Sequence, residues 1–213
     1  MSPLHEVLLT SPEEFPGHST ATTRPPYFPA GAEKELTGRA PFCTFVETLA
    51  ACRSVPSLAD LGRWLQEAQV EAEDLRPYIG FKARTYARHL VFRSEFVELL
   101  VLCWRPGQRT PIHDHNGSHG AVRVCEGVMW ETMFALNEAN RLYYRSAREW
   151  TGGQVTGAEV PDIHQLGNPE VSGQNLVTLH LYAPPLGVLN TYRVGSSEVG
   201  HYTPDAFFDG GGI

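Results

Sequence analysis

Positive charge is in short supply in this chain. Against 24 acidic residues stand 17 lysines and arginines, for a formal net charge of -7. Nucleic acids and anionic membrane surfaces recruit basic faces, so neither is an expected partner. Long apolar runs are missing as well: none approaches the ~18 residues that suggest a membrane-crossing helix. The opening MSPLHEVLLTSPEEFPG has no basic start and no long apolar segment, so no signal peptide is expected and the location reads as cytoplasmic. Cysteine is sparse. Cys43, Cys52, Cys103 and Cys125 lie in or beside apolar stretches and none forms a CxxC pair. That argues against a zinc site and for buried free thiols in a reducing compartment. No internal repeat is apparent.

What remains is ordinary globular material. A length of 213 residues suits one domain with a real core and some decoration, and a hydrophobic fraction of 42% agrees. Residues 1–40 are rich in Pro, Gly, Ser and Thr and read as an irregular arm over the surface. Residues 41–80 read as a helical cap. CTFVETLAACR sets Phe45, Leu49 and Cys52 at helical spacing, and Ser57 is a fitting N-cap for LADLGRWLQEAQV. EAEDLRPYIG reads as a short third helix, stopped by Pro77 and Gly80. Residues 81–213 change to short stretches of branched and aromatic residues separated by turn signals: ARTYARHLVFR, EFVELLVLCW, GAVRVCEGVMWETMFAL, RLYYRSAREWT and NLVTLHLYAP. Such a pattern predicts a sandwich or barrel. The fold class is therefore mainly β, one antiparallel barrel preceded by helices. Trp104 and Trp130 read as barrel core, and His89 and His201 as structural.

The densest histidine cluster is TPIHDHNGSHGAVRVCEG. Residues two apart on a strand point the same way, so His113 and His115 can converge inside a barrel while Asp114 faces away. Two imidazoles so placed suit a borderline divalent metal. Taken alone, the pair is equally well read as two hydrogen-bonded histidines.

The surrounding spacing resembles the cupin superfamily. Gly107 precedes the HxH and Gly127 follows it, as in the first cupin motif. GGQVTGAEVPDIHQLGN, with His164 and Asn168, resembles the second, although its usual proline and glycine are displaced and only Pro161 stands near. The resemblance implies a single jelly-roll-like barrel and a third ligand, His164. Cupins with four protein ligands carry a Glu where this chain has Gly120. Three neutral histidines would leave a metal's charge uncompensated and about three octahedral positions open. An anionic thiolate and O2 suit those positions, and iron is the metal that gains from them.

A narrower resemblance runs from Tyr86 to Pro185. YARHLV, LCWRPGQRTPIHDHNGSHG, EGVMWETMF, DIHQLGN and TLHLYAPP resemble the cysteine dioxygenase family. This implies a non-haem iron(II) enzyme, one metal per chain, adding both atoms of O2 to the sulfur of a small thiol, L-cysteine first. It implies that Arg88, with Tyr86 beside it, binds the substrate carboxylate; a guanidinium's bidentate fork fits that task. Relatives acting on mercaptopropionate carry glutamine there. The family's serine-histidine-tyrosine set matches Thr178, His180 and Tyr182, which alternate on one strand face. Tyr182 would act at the open metal positions, His180 would orient it, and Thr178 would stand for the serine. His119 reads as a supporting residue, not a ligand. Animal members join a cysteine to this tyrosine by a thioether; here that position is Gly120, so no crosslink is expected, and Cys125 is a poor substitute.

Two other functions stay open at this level. One is dioxygenation of another small thiol, mercaptopropionate-like or larger. The other is a non-redox metal cupin such as an isomerase. A cupin that only binds is disfavoured by the intact histidines. The oligomeric state is left open, a monomer included.

Overall fold

The computed structural model describes residues 40–158 and 162–204. The expected N-terminal arm lies outside the described residues, apart from Ala40.

Among the described residues three helices come first: α1 (Ala40–Ala50), α2 (Leu58–Glu67) and α3 (Ala72–Leu75), the last running into a 3-10 turn at Arg76–Tyr78. Ser57 caps α2 as its sequence suggests. Its hydroxyl accepts from the Asp60 amide while the Asp60 carboxylate accepts from the Ser57 amide, a reciprocal capping box. The far end of α2 is held by the barrel. Arg123 donates from one guanidinium nitrogen to the carbonyls of Leu65 at 2.8 Å and Ala68 at 2.7 Å, carbonyls that a helix end leaves unpaired. The helices bury Phe42, Leu49, Leu61 and Leu65 completely. Each such side chain contributes about 1.5–3 kcal/mol of burial, which explains why the cap stays docked.

Among the described residues eleven strands follow, and they form two antiparallel sheets. The first sheet has the order β1 (Ala87–Arg93), β2 (Glu98–Trp104), β9 (Leu176–Ala183), β4 (His119–Glu126), β7 (Val155–Ala158). The second runs β11 (Val199–Tyr202), β10 (Leu189–Tyr192), β3 (Ile112–Asp114), β8 (Ile163–Gly167), β5 (Val128–Leu136), β6 (Leu142–Thr151). The architecture is the cupin barrel with helices on one side.

The first sheet is buried on both faces. Leu99, Val101, Cys103, Leu179 and Leu181 pack outward with the helices, while Leu100, Leu102, Trp104, Val122 and Val124 pack inward. That is why β2 and β9 are buried at every position, β2 as a nearly continuous apolar run and β9 with Thr178, His180 and Tyr182 alternating on its inward face. The second sheet is wet on its outer face, and β6 at its edge exposes most of its residues.

The stretch GAVRVCEGVMWETMFAL holds two strands, because Gly127 carries the chain from one sheet to the other. Its φ is +83°, and a Cβ there would lie 2.4 Å from the Asn175 carbonyl oxygen, so only glycine fits. Trp104 is fully buried as expected. Trp130 is a correction: it is only half-buried and its indole N–H donates outward to Glu149 at 3.1 Å. Position 130 belongs to the sheet's wet face, and its aromatic character gave no hint of that side.

Candidate metal centre and substrate cleft

Strand alternation and cross-strand pairing bring three distant histidines together. His113 lies on β3 directly opposite His164 on β8, and His115 follows at the end of β3. Ring centroids stand 5.1 Å apart for His113–His115, 4.9 Å for His113–His164 and 5.0 Å for His115–His164, a nearly equilateral triangle. One nitrogen from each lies within 4.8 Å of the others, and all three residues are buried. Asp114 faces away, as expected. Its carboxylate accepts from the Asn116 amide, the Asn190 side chain and the Tyr192 hydroxyl, which ties β3 to β10.

The free nitrogens are compatible with holding a metal ion. Nδ1 of His113 lies 2.9 Å from the Pro111 carbonyl, and Nδ1 of His164 lies 3.1 Å from Glu131 Oε1, so both donate there and leave Nε2 as a lone pair. Nε2 of His115 and of His164 are buried with no hydrogen-bond partner. Buried polar atoms are normally paired. Orphans aimed together fit a single divalent cation. The protonation state agrees. Burial, with the neighbouring His164 and Arg88 charges, outweighs the Pro111 bond and pushes His113 down to about 3. Burial and the same neighbours hold His115 well below the ordinary value. Both are neutral at physiological pH, the form a metal ligand requires.

Glu131, on β5, lies in the family-like segment EGVMWETMF, but the sequence assigns it no role. Its carboxylate is buried and takes His164 Nδ1–H on one oxygen, Trp150 Nε1–H at 2.9 Å and the Thr156 hydroxyl at 3.2 Å on the other. Burial alone would raise its pKa, but the bond and charge of His164, with Trp150 and Thr156, outweigh it and leave it below the usual carboxylate range.

A second line of side chains runs along β9. Trp104 Nε1 donates to Thr178 Oγ1 at 2.9 Å, Thr178 Oγ1 lies 2.8 Å from His180 Nε2, and His180 Nδ1 lies 2.9 Å from the Tyr182 hydroxyl. The Tyr182 ring stands 5.4 Å from His115. Gly120 pairs with Tyr182 across the sheet, and a Cβ at Gly120 would come within 2.9 Å of Tyr182 Cε1 and 3.3 Å of His115 Cε1. The missing side chain is thus what lets phenol and imidazole approach each other. Burial pushes the Tyr182 phenol far up, only partly offset by Arg88, so it stays protonated. Burial and the Arg88 charge hold His180 well below its ordinary value, so it is neutral.

These groups border a narrow cleft whose empty space, open mouth included, is about 370 Å³. Tyr86, Arg88, His113, His180, Tyr182 and Tyr202 line it, with Leu102, Leu166, Leu186 and Leu189 as the apolar part of the wall. Tyr86 stacks on Trp104 at 4.3 Å. Arg88 Nε is buried without a partner. His119 starts β4 opposite Ala183, so alternation sets it on the face away from Gly120; its Nδ1 is buried and unpaired. Tyr202 and the Leu186–Leu189 wall come from segments with no recognisable pattern.

Fold and site together define a cupin whose barrel holds a three-histidine cluster of metal-binding geometry. A family model described as Cysteine dioxygenase type I matches residues 57–194, and the chain belongs to that family. It is accordingly a metal-dependent oxidoreductase of the thiol dioxygenase class. Bovine (Bos taurus) cysteine dioxygenase type 1 is 30% identical over 137 residues, 59% of this chain and 67% of the bovine protein. The human (Homo sapiens) protein of the same name is 31% identical over 121 residues, 54% of this chain and 59% of the human one. Among solved structures, a conserved protein with a double-stranded β-helix domain from Klebsiella pneumoniae is 17% identical with a TM-score of 0.47, covering 60% of this chain and 93% of its own. Tyr202 lies beyond the family match. Among the described residues no helix is long and apolar enough to cross a membrane.

Proposed function

We propose that this chain holds one iron(II) through His113, His115 and His164 and inserts both atoms of O2 into the sulfur of a small carboxylate-bearing thiol, L-cysteine to cysteine sulfinic acid being the first candidate. Arg88 is the observation that carries the substrate assignment. Its guanidinium lines the same cleft as His113 and Tyr182, and its Nε is buried without a partner. A buried cationic donor in that state is completed by an anion, and a carboxylate matches its fork. Bound iron(II) supplies the redox partner for O2 and lowers the thiol pKa so that sulfur binds as thiolate.

The chain's own residues do the rest. Arg88 anchors the carboxylate and so fixes where the sulfur lies, which supplies proximity. When the Thr178 hydroxyl donates to His180 Nε2, the ring carries its proton on Nδ1 and donates it to the Tyr182 oxygen. The Tyr182 O–H is then free to donate into the cleft, toward the reacting oxygen or the substrate carboxylate. The leucine wall limits water at the reacting end. Sulfur gives up four electrons and gains both oxygens, so no external reductant enters. The isomerase alternative loses its ground with the family assignment.

The site would work without a thioether. Gly120 has no thiol to offer Tyr182. Cys125 packs with the helix-side cluster, on the other side of the sheet from the tyrosine. The location is proposed to be cytoplasmic, with neither nucleic acid nor membrane as partner. The test is anaerobic iron loading followed by L-cysteine and labelled O2. The expected product is a sulfinate with two labelled oxygens; one label, or no turnover, refutes the reading.

A further inference from the structure

The three histidines are not supported alike. His113 leans on a neutral backbone carbonyl, Pro111 O at 2.9 Å. His164 leans on the carboxylate of Glu131 at 3.1 Å. That carboxylate is 3% exposed, and its other oxygen accepts from Trp150 on β6 and Thr156 on β7. Glu131 itself sits on β5, opposite Leu166 and therefore diagonal to His164. Three neighbouring strands thus each contribute one donor to a single buried anion, and one of those donors is a histidine of the triangle.

We infer that Glu131 is a positioning residue for the metal centre, the anion that fixes His164 and balances the cation from one bond further out. The inference rests on the proposed metal role of His113, His115 and His164. Accepting from Nδ1–H leaves His164 one tautomer, with Nε2 as the lone pair facing the other two rings, and makes that nitrogen a stronger donor. Trp150 and Thr156 hold the carboxylate in place, so it cannot swing in to bind the cation itself. The position where a fourth, carboxylate ligand would arise is Gly120, and any Cβ there collides with the Tyr182 ring at 2.9 Å. The negative charge sits behind His164, and the space beside Gly120 is taken by the phenol.

The experiment measures cobalt(II) affinity of the full chain by chelator competition, together with the visible spectrum of the cobalt protein. Glu131→Gln keeps the shape and removes the charge. Affinity is expected to fall about 10–100-fold, with a changed ligand-field spectrum. Trp150→Phe removes a donor to the same carboxylate but leaves the Glu131–His164 bond. It is expected to lower the unfolding midpoint while affinity stays within about threefold of the parent. Glu131→Gln with unchanged affinity and spectrum overturns the inference. So does an equal loss in both variants, which marks a merely structural carboxylate. Should Glu131→Gln fail to fold, Glu131→Asp, which draws the carboxylate back by one methylene, carries the same expectation and the same refutation. A parent protein that binds no cobalt(II), zinc(II) or iron(II) defeats the proposed function itself, which separates the two failures.

Discussion

Replacing Arg88 by methionine should make the protein more stable and much less active at once. Methionine keeps most of the volume and the apolar stem but removes a cationic donor whose Nε is buried and unpaired. Leaving such a group unsatisfied costs about 1–3 kcal/mol, a cost the variant no longer carries. At about 2–4 °C per kcal/mol for a chain of this size, the unfolding midpoint should rise by roughly 2–12 °C. Arg88 charge also helps to depress His113, His115 and His180, so these should titrate closer to the ordinary value. Activity moves the other way. Two charge-assisted hydrogen bonds to a substrate carboxylate are worth about 1.5–3 kcal/mol each, so kcat/KM for L-cysteine should fall about 10²–10⁴-fold. Cysteamine, which has no carboxylate, should change by less than about threefold. Calorimetry gives the first number, and oxygen consumption with the two thiols gives the second. A midpoint that drops, with equal loss on both thiols, would show that Arg88 is a structural strand residue and refute the reasoning.

Thr178→Val leaves the Trp104 N–H and His180 without their shared partner and should cost about 1–3 kcal/mol in chemical denaturation, while Thr178→Ser restores the parent value. Gly120→Ala must push Tyr182 by roughly half an ångström, the gap between a 2.9 Å and an ordinary 3.4 Å contact. Turnover should fall on the order of tenfold with the circular dichroism unchanged. His180 should make the metal-free protein acid-sensitive. Its folded pKa lies well below 6.5, so it adds no pH dependence well above 6.5. As pH falls below that value the unfolded chain takes up a proton that the folded one refuses, and stability is lost at about 1.4 kcal/mol per pH unit from this group. Urea unfolding between pH 8 and pH 5 checks the slope, which should be shallower in His180→Gln. Finally, the intact mass should equal the sequence mass, and a deficit of two hydrogens mapping to Tyr182 would contradict the uncrosslinked site.

Legibility in the sequence followed how local each signal was. His113 and His115 were visible because a strand's period of two is written into HxH. Ser57 was visible because a cap acts over three residues. His164 and the Thr178–His180–Tyr182 row are legible only through the spacing of a known family, since nothing local announces that His164 pairs across from His113. Glu131 was invisible for the opposite reason. Its partners Trp150, Thr156 and His164 lie on three other strands, and within its own strand it is one polar residue in VMWETMFAL. Trp130 and Met129 look alike in that strand, yet one faces solvent and the other the core. The short strands β7, β8, β10 and β11 are not legible as strands because four or five residues carry too little periodicity. Tyr202 enters the cleft only because β11 pairs with β10 at Leu189.

The most direct test is thiol-dependent oxygen uptake by the iron-loaded protein over a panel of L-cysteine, 3-mercaptopropionate, cysteamine and a larger carboxylate-bearing thiol. The account predicts uptake with L-cysteine at one O2 per sulfinate formed, a weaker response to mercaptopropionate and little with cysteamine. Uptake that is indifferent to the carboxylate, or none with any thiol in protein shown to hold iron, would contradict it.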